Sequence, residues 1–225
     1  MSHPTIDEGF TWAKDTVSNV HEHIPVLATY AEKCSSVAEL GVNEMITTWS
    51  FLKGLRFNKK KKKVLICVDI NDKPAPFDSV VELAKKNRIS MEFLRGDSGT
   101  VTLPKVDMLF IDTAHHYAQL HRELEHHYTR VNKYIVMHNT LIDGEFGEIV
   151  RMCYYYDVNK MAEHFNYNVK DMCKGLQPAI DEFLANHPDW KLDQQLANNN
   201  GLTILVKKDV AEDESAAADE EHDDA

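Results

Sequence analysis

Asp112, His115 and His116 lie directly after the apolar run Met108-Leu109-Phe110-Ile111. A carboxylate beside an imidazole is an acid–base pair. The imidazole titrates near neutrality and can take a proton from a hydroxyl, while the carboxylate orients it or holds a cation. A strand apolar at every position is buried on both faces, which puts it in the middle of a parallel sheet. In open parallel sheets the ligand crevice lies outside the carboxyl ends of the strands. These three polar residues therefore stand where such a fold does its chemistry. Other expected strands end the same way, in Glu39 and Gly41, Asp69, Asp97 with Ser98, and His138 with Asn139.

The elements that must position these residues follow from spacing. A short helix is expected over residues 10–20. A second contains Ile24, Leu27, Ala28 and Ala31, with Pro25 in its first turn. A buried strand over 36–42 leads to a helix over 47–55, capped by Thr47 or Thr48 and stopped near Gly54. Strands over 64–69, 89–94, 108–111 and 134–137 alternate with a helix over 77–86 and an amphipathic helix carrying Tyr117, Leu120, Leu124, Tyr128 and Val131. Five alternations make a doubly wound α/β sheet with helices on both faces. Residues 141–174 break the pattern with Phe146, Tyr154, Tyr155, Tyr156, Phe165 and Tyr167. So long a connection is a lid, a binding loop or a helical insertion, and its aromatics read as a secondary core, a contact between copies, or a cover for a ligand. A helix over 176–184 and two strands around Asn198-Asn199-Asn200-Gly201 close the chain as a hairpin.

Length and composition fit one domain, residues 1–208, followed by an acidic tail over 209–225 that is expected to be disordered. The net charge of −11 is carried by that tail, which holds nine acids and no Lys or Arg and leaves 27 acids against 25 bases elsewhere. A body so balanced has no global basic field for nucleic acid, and the run Lys59–Lys63 reads as a solvated loop. No apolar stretch reaches the ~18 residues a membrane span needs. Cys34, Cys67, Cys153 and Cys173 form no metal-ligand spacing and read as reduced thiols, which together with the lack of a signal-peptide pattern gives a cytoplasmic expectation.

Five βα units closed by a hairpin, opening with Val37-Ala38-Glu39-Leu40-Gly41-Val42, resemble the class I S-adenosylmethionine-dependent methyltransferases. The stretch from Leu109 to Tyr117 resembles the FIDxxHxY segment of the small O-methyltransferases of methyltransferase family 24, grouped with sugar O-methyltransferases and cephalosporin-hydroxylase-like proteins. Tyr134-Ile135-Val136-Met137-His138-Asn139-Thr140, Gly175-Leu176-Gln177-Pro178-Ala179-Ile180 and Asn198-Asn199-Asn200-Gly201-Leu202-Thr203 resemble the same group. The resemblance spans roughly residues 22–206 and implies a Rossmann-like seven-stranded sheet with a C-terminal antiparallel hairpin.

It also implies roles. Glu39 and Gly41 would flank the methionine part of S-adenosylmethionine, Asp69 would take the ribose hydroxyls, and Asp97 with Ser98 would lie near the adenine. His115 would be the general base, aided by Asp112. In metal-dependent relatives Asp112, His138 and Asn139 would hold a divalent cation such as Mg²⁺. Here the aspartate of the family's "HDT" is Asn139, and the usual second glycine after Gly41 is Met45. One Asp with a His and an Asn is a poor set for a cation that prefers oxygen ligands. Other readings of the same residues are a plain turn at Gly41 and at Asp97, a solvated Asp69, and helix capping by His115 or His116. The implied function is O-methylation of a hydroxyl on a small acceptor, most simply a sugar or glycan unit, with no nucleic-acid or membrane partner and a homo-oligomer left open. The competing reading is a methyltransferase-like protein that binds a ligand or partner without catalysis.

Overall fold

The computed structural model describes residues 3–155 and 157–210. Tyr156 and the tail over 211–225 lie outside the described residues. Seven strands form one sheet in the order β3-β2-β1-β4-β5-β7-β6. They are β1 (Ser36–Leu40), β2 (Lys63–Asp69), β3 (Ile89–Arg95), β4 (Val106–Ile111), β5 (Val131–His138), β6 (Trp190–Leu196) and β7 (Leu202–Lys207). The first five run parallel, and β7 lies antiparallel to both β5 and β6. Strand order reverses between β1 and β4, so the switch point of the sheet opens beside Leu40 and Ile111.

β4 is buried on both faces, as its unbroken apolar run requires. Met108 and Phe110 enter one core layer, with Val37, Leu65, Cys67 and Tyr134; Leu109 and Ile111 enter the other, with Ala38, Leu40, Ile66 and Val68. The first layer is covered by α1 (Ile6–Asp15), α2 (Ile24–Glu32), α3 (Ile46–Phe57) and α4 (Phe77–Lys86). The second is covered by α5 (Tyr117–His127) and α9 (Gln177–Asn186). Between β5 and α9 the chain forms three short helices: α6 (Glu148–Arg151), α7 (Val158–Phe165) and α8 (Val169–Cys173). They share a small apolar cluster of Ile149, Ala162 and Met172, against which Tyr167 packs.

Several local expectations are corrected. α3 starts one residue before Thr47, and its N-cap is Met45 in a left-handed conformation, φ 65°. Thr47 and Thr48 spend their hydroxyls on Glu39 instead of on capping. Gly54 does not end α3. A Cβ there would stand 2.3 Å from the carbonyl oxygen of Ala28, so the glycine allows α2 to cross closely. The first helix is Ile6–Asp15, earlier than expected. α5 stops at His127; Tyr128 belongs to a 3₁₀ turn and Val131 opens β5, so the 3,4,4,3 spacing ran through a helix end. Among the described residues no helix is long and apolar enough to cross a membrane, and all four cysteines are free thiols.

Candidate functional site

A cleft of about 240 Å³ opens over the carboxyl ends of β1, β2 and β4, lined by Gly41, Asp69, Asp97, Ser98, Asp112 and Thr113 among others. A second hollow of about 180 Å³ continues past Gly41 and Asp112 toward Asn19, Glu44, Thr47 and His115. The two share Gly41, Asn43, Asp112 and Thr113. Together they form one groove crossing the switch point.

Each strand end contributes differently. Gly41 has φ +86°, and a Cβ on it would lie 1.9 Å from the carbonyl oxygen of Asp112. The glycine is thus demanded by the β4 backbone that passes it. Asp69 Oδ2 accepts the backbone N–H groups of Val42 (2.9 Å) and Asn43 (3.1 Å), and Oδ1 accepts the N–H of Asn71 (2.9 Å). Asp69 therefore anchors the loop after β1 while lining the cleft. Asp97 Oδ1 accepts the N–H of Gly99 at 2.9 Å, the turn contact of an ordinary loop aspartate, but the residue also faces the cleft. Glu39 lies elsewhere. It is fully buried, and its carboxylate accepts Thr47 Oγ1 at 2.5 Å and Thr48 Oγ1 at 2.8 Å. Alternation along β1 turns it, with Val37, onto the α3 face. Burial, only partly offset by the two threonines and Cys67, pushes its pKa to about 7. It supports the groove from behind and touches neither hollow. Met45, at the position of the missing second glycine, is 1 % exposed and packs in the core, so it does not crowd the groove.

At the other end of the groove Asp112 Oδ1 lies 3.0 Å from His115 Nε2 and 3.2 Å from His138 Nδ1. His138 Nε2 donates to the carbonyl of Asn199 at the hairpin tip (3.2 Å), which also accepts His23 Nε2 (3.2 Å). The second nitrogen of His115, Nδ1, is 3.2 Å from Glu148 Oε2 and 3.6 Å from Asp143 Oδ2. The Asn139 amide lies against the same ring at 2.8 Å. Burial alone would lower the pKa of His115, but Asp112 and Glu148 outweigh it and push it up to about 10. For Asp112 burial pulls upward, and its bonds to His115 and His138 reverse this and hold it well below the usual range. Asp112 and Glu148 thus favour the protonated ring over the near-neutral imidazole expected at 115. His116 is the capping residue: its Nδ1 accepts the N–H of Gln119 at 3.1 Å, and burial lowers its pKa to about 4.

The strand-end pattern brought Asp112, His115, His138 and Asn139 together, and Asp69, Asp97 and Ser98 along the cleft. It missed Asp143 and Glu148, whose segments carry no periodicity to place them, and it placed Asn199 in a hairpin turn with no sign that the turn reaches the site. Asp143 is buried beneath the exposed Arg151, which donates to it from Nε (3.1 Å) and Nη2 (3.0 Å). Of the insertion's aromatics, Phe165 lines the cleft and Tyr167 packs on His116, while Tyr154 and Tyr155 are 96 % and 80 % exposed. The expected Mg²⁺ set does not fit. Asp112 Oδ1 is engaged by two imidazole nitrogens and the companion donors are an imidazole and an amide, where Mg²⁺ takes oxygen. Among the described residues no three His, Cys, Asp or Glu side chains converge as a metal site.

No family model matches the chain, and no curated protein matches it. Solved structures do resemble it in fold. An O-methyltransferase from Bacillus cereus in complex with SAH superposes with TM-score 0.56 at 16 % identity, covering 92 % of each chain. The SAH-bound methyltransferase PaMTH1 of Podospora anserina gives 0.52 at 14 %, over 92 % of this chain and 90 % of that one. TomG of Streptomyces achromogenes, an O-methyltransferase involved in tomaymycin synthesis and solved with SAM, gives 0.53 at 14 %, over 89 % and 90 %. Identities this low speak to architecture alone. The parallel five-strand core, its switch point and the antiparallel β7 insertion between β5 and β6 are those of the class I methyltransferase fold.

Proposed function

We propose that the protein is an S-adenosylmethionine-dependent O-methyltransferase acting on a small hydroxylated acceptor, a sugar or glycan unit. The observation that carries this reading is the two-part groove across the switch point. Its Asp69–Asp97 half suits an adenosine, and its Asp112–His115 half suits the reacting end of the ligand and a hydroxyl. Beside the aliphatic Val20, Val42 and Ile46, the acceptor half is lined by the polar Asn19, Asn43, Glu44, Thr47, Asp112 and His115 and by no Phe, Tyr or Trp, which favours a polyhydroxylated acceptor over a planar one. The sequence resemblance to sugar O-methyltransferases supports the same choice.

In this reading S-adenosylmethionine supplies the electrophilic methyl. Asp112 and His115 bind and orient the acceptor hydroxyl, and the proton it loses needs a route out. The carboxylates of Asp112 and Glu148 favour a His115 ring that carries both protons. To act as a base it first passes Nδ1–H to Glu148, whose side chain is 24 % exposed and opens to water. Calorimetry with S-adenosylmethionine tests the first half; absence of heat at millimolar cofactor rejects it. A labelled-methyl screen over sugars and glycans tests the second, with His115→Ala expected to lower kcat far more than cofactor affinity. That preference for the protonated ring favours one alternative, a protein that binds the cofactor without transferring its methyl. Tight binding with no transfer to any acceptor would select it.

A further inference from the structure

The Asp97 end of the cleft is built around a carboxyl group that does not itself line it. Glu123, in α5, is fully buried. Its Oε1 accepts Ser98 Oγ at 2.5 Å, Thr113 Oγ1 at 2.8 Å and Gln119 Nε2 at 2.8 Å. Its Oε2 is buried with no partner. A glutamate retained only for packing would satisfy both oxygens, because an unpaired buried acceptor costs about 1–3 kcal/mol. Here three donors converge on one oxygen, and all three belong to residues that line the cleft.

The consequence is a fixed polarity. A hydroxyl has one proton and two lone pairs. Ser98 and Thr113 spend their protons on Glu123, so only lone pairs remain for a ligand. Ser98 Oγ also accepts Gln119 Nε2 at 3.0 Å, and Gln119 Oε1 is taken by the hydroxyl of Tyr167. Asp97 adds further acceptors beside them. This end of the cleft therefore accepts hydrogen bonds and offers few. Burial, offset in part by the three donors, places the Glu123 pKa at about 7; Oε1 accepts whether the group is ionised or protonated.

We infer that Glu123 is a positioning residue that, by consuming the protons of Ser98 and Thr113, makes the cleft select a purine bearing a 6-amino donor over one bearing a 6-oxo acceptor. The inference rests on the adenosyl-cofactor reading above. A carbonyl at that ring position would face lone pairs, and such unpaired polar groups discriminate strongly.

The test is calorimetry on the full chain with S-adenosylhomocysteine and S-inosylhomocysteine. The wild type is expected to bind the adenosyl compound at least tenfold more tightly. Glu123→Gln keeps an acceptor oxygen and should keep the preference. Glu123→Met frees both hydroxyl protons while Asp97 remains, and the ratio should fall at least threefold below that of the wild type. A merely structural role would weaken both ligands together and leave the ratio unchanged, which overturns the inference. So does equal binding of both ligands to the wild type. Binding of neither overturns the cofactor reading and this inference with it. If Glu123→Met does not fold, Thr113→Val with Ser98→Ala removes the lone pairs directly, and an undiminished ratio in that variant refutes the proposal.

Discussion

Replacing Glu39 by Gln should change the sign of its effect on stability as pH changes. Glu39 is fully buried, and its pKa rises from 4.5 to about 7. A carboxyl with a raised folded pKa favours the folded protein while protonated. That stability is complete below the unfolded pKa and is lost as pH rises through the folded one. The difference of 2.5 units between these values corresponds to about 3 kcal/mol lost between pH 4.5 and pH 8 at 1.36 kcal/mol per unit. Glutamine does not titrate. It keeps one acceptor for Thr47 or Thr48 and turns the other into a donor, at a pH-independent cost of about 1 kcal/mol. Glu39→Gln should therefore be less stable than wild type by about 1 kcal/mol near pH 4.5 and more stable by about 2 kcal/mol near pH 8. Urea unfolding followed by circular dichroism at the two pH values measures both differences, with the slope m checked for constancy. Other groups with shifted pKa values, such as Glu123, titrate in both proteins and cancel. An unchanged difference between variant and wild type at the two pH values would refute the assignment of a buried, proton-holding Glu39.

Gly41→Ala combines a positive φ with a Cβ 1.9 Å from a backbone oxygen; it should cost about 3 kcal/mol or more and lower Tm by roughly 6–12 °C in a calorimetric scan. Asp69→Ala releases the backbone N–H groups of Val42 and Asn43 and should weaken S-adenosylmethionine binding at least tenfold by calorimetry, equal to about 1.4 kcal/mol. Tyr154→Ser with Tyr155→Ser should leave urea stability within about 0.5 kcal/mol, because neither exposed ring supports the fold. Because the Asp112, His138 and Asn139 donors suit Mg²⁺ poorly, treatment with EDTA should leave Tm, and the rate of the methyl transfer proposed above, unchanged.

The strands were legible because parallel, doubly buried strands write continuous apolar runs, and β4 is the plainest of them. What the runs also revealed is where they stop, and so Asp69, Asp97 and Asp112 were found at the sheet's edge. Side-chain direction was less visible. Period-two alternation along Val37-Ala38-Glu39-Leu40 sends Glu39 toward α3, a signal present in the sequence that strand-end position masked. Helix ends misled where tertiary contacts outvoted local preference. Met45 holds a left-handed N-cap that its side chain does not favour, because burying that side chain in the α1–α3 core outweighs the strain. Asp143 and Glu148 had no periodicity to announce them, and the hairpin turn of Asn199 carried no sign of reaching the site. They reach the site through loop backbone contacts, such as Glu148 N–H donating to the His115 carbonyl at 2.8 Å.

Those loop residues decide the character of the Asp112–His115 end of the groove. From the strand ends, His115 meets the Asp112 carboxylate at Nε2 and the Asn139 amide, 2.8 Å away, at Nδ1. The insertion adds Glu148 beside that amide and brings Asp143 behind it, so both nitrogens also face carboxylates. Arg151 then spends its charge on Asp143, leaving Glu148 as the nearer proton acceptor for Nδ1. The hairpin acts on the opposite side by fixing His138 through the Asn199 carbonyl, which turns Nδ1 of His138 toward Asp112. Asp112 is thus held by two rings at once, and its freedom to turn into the groove depends on both. The fold's shared edge supplies the groove, whereas the proton inventory within it is set by the two segments of this chain that the parallel core does not dictate.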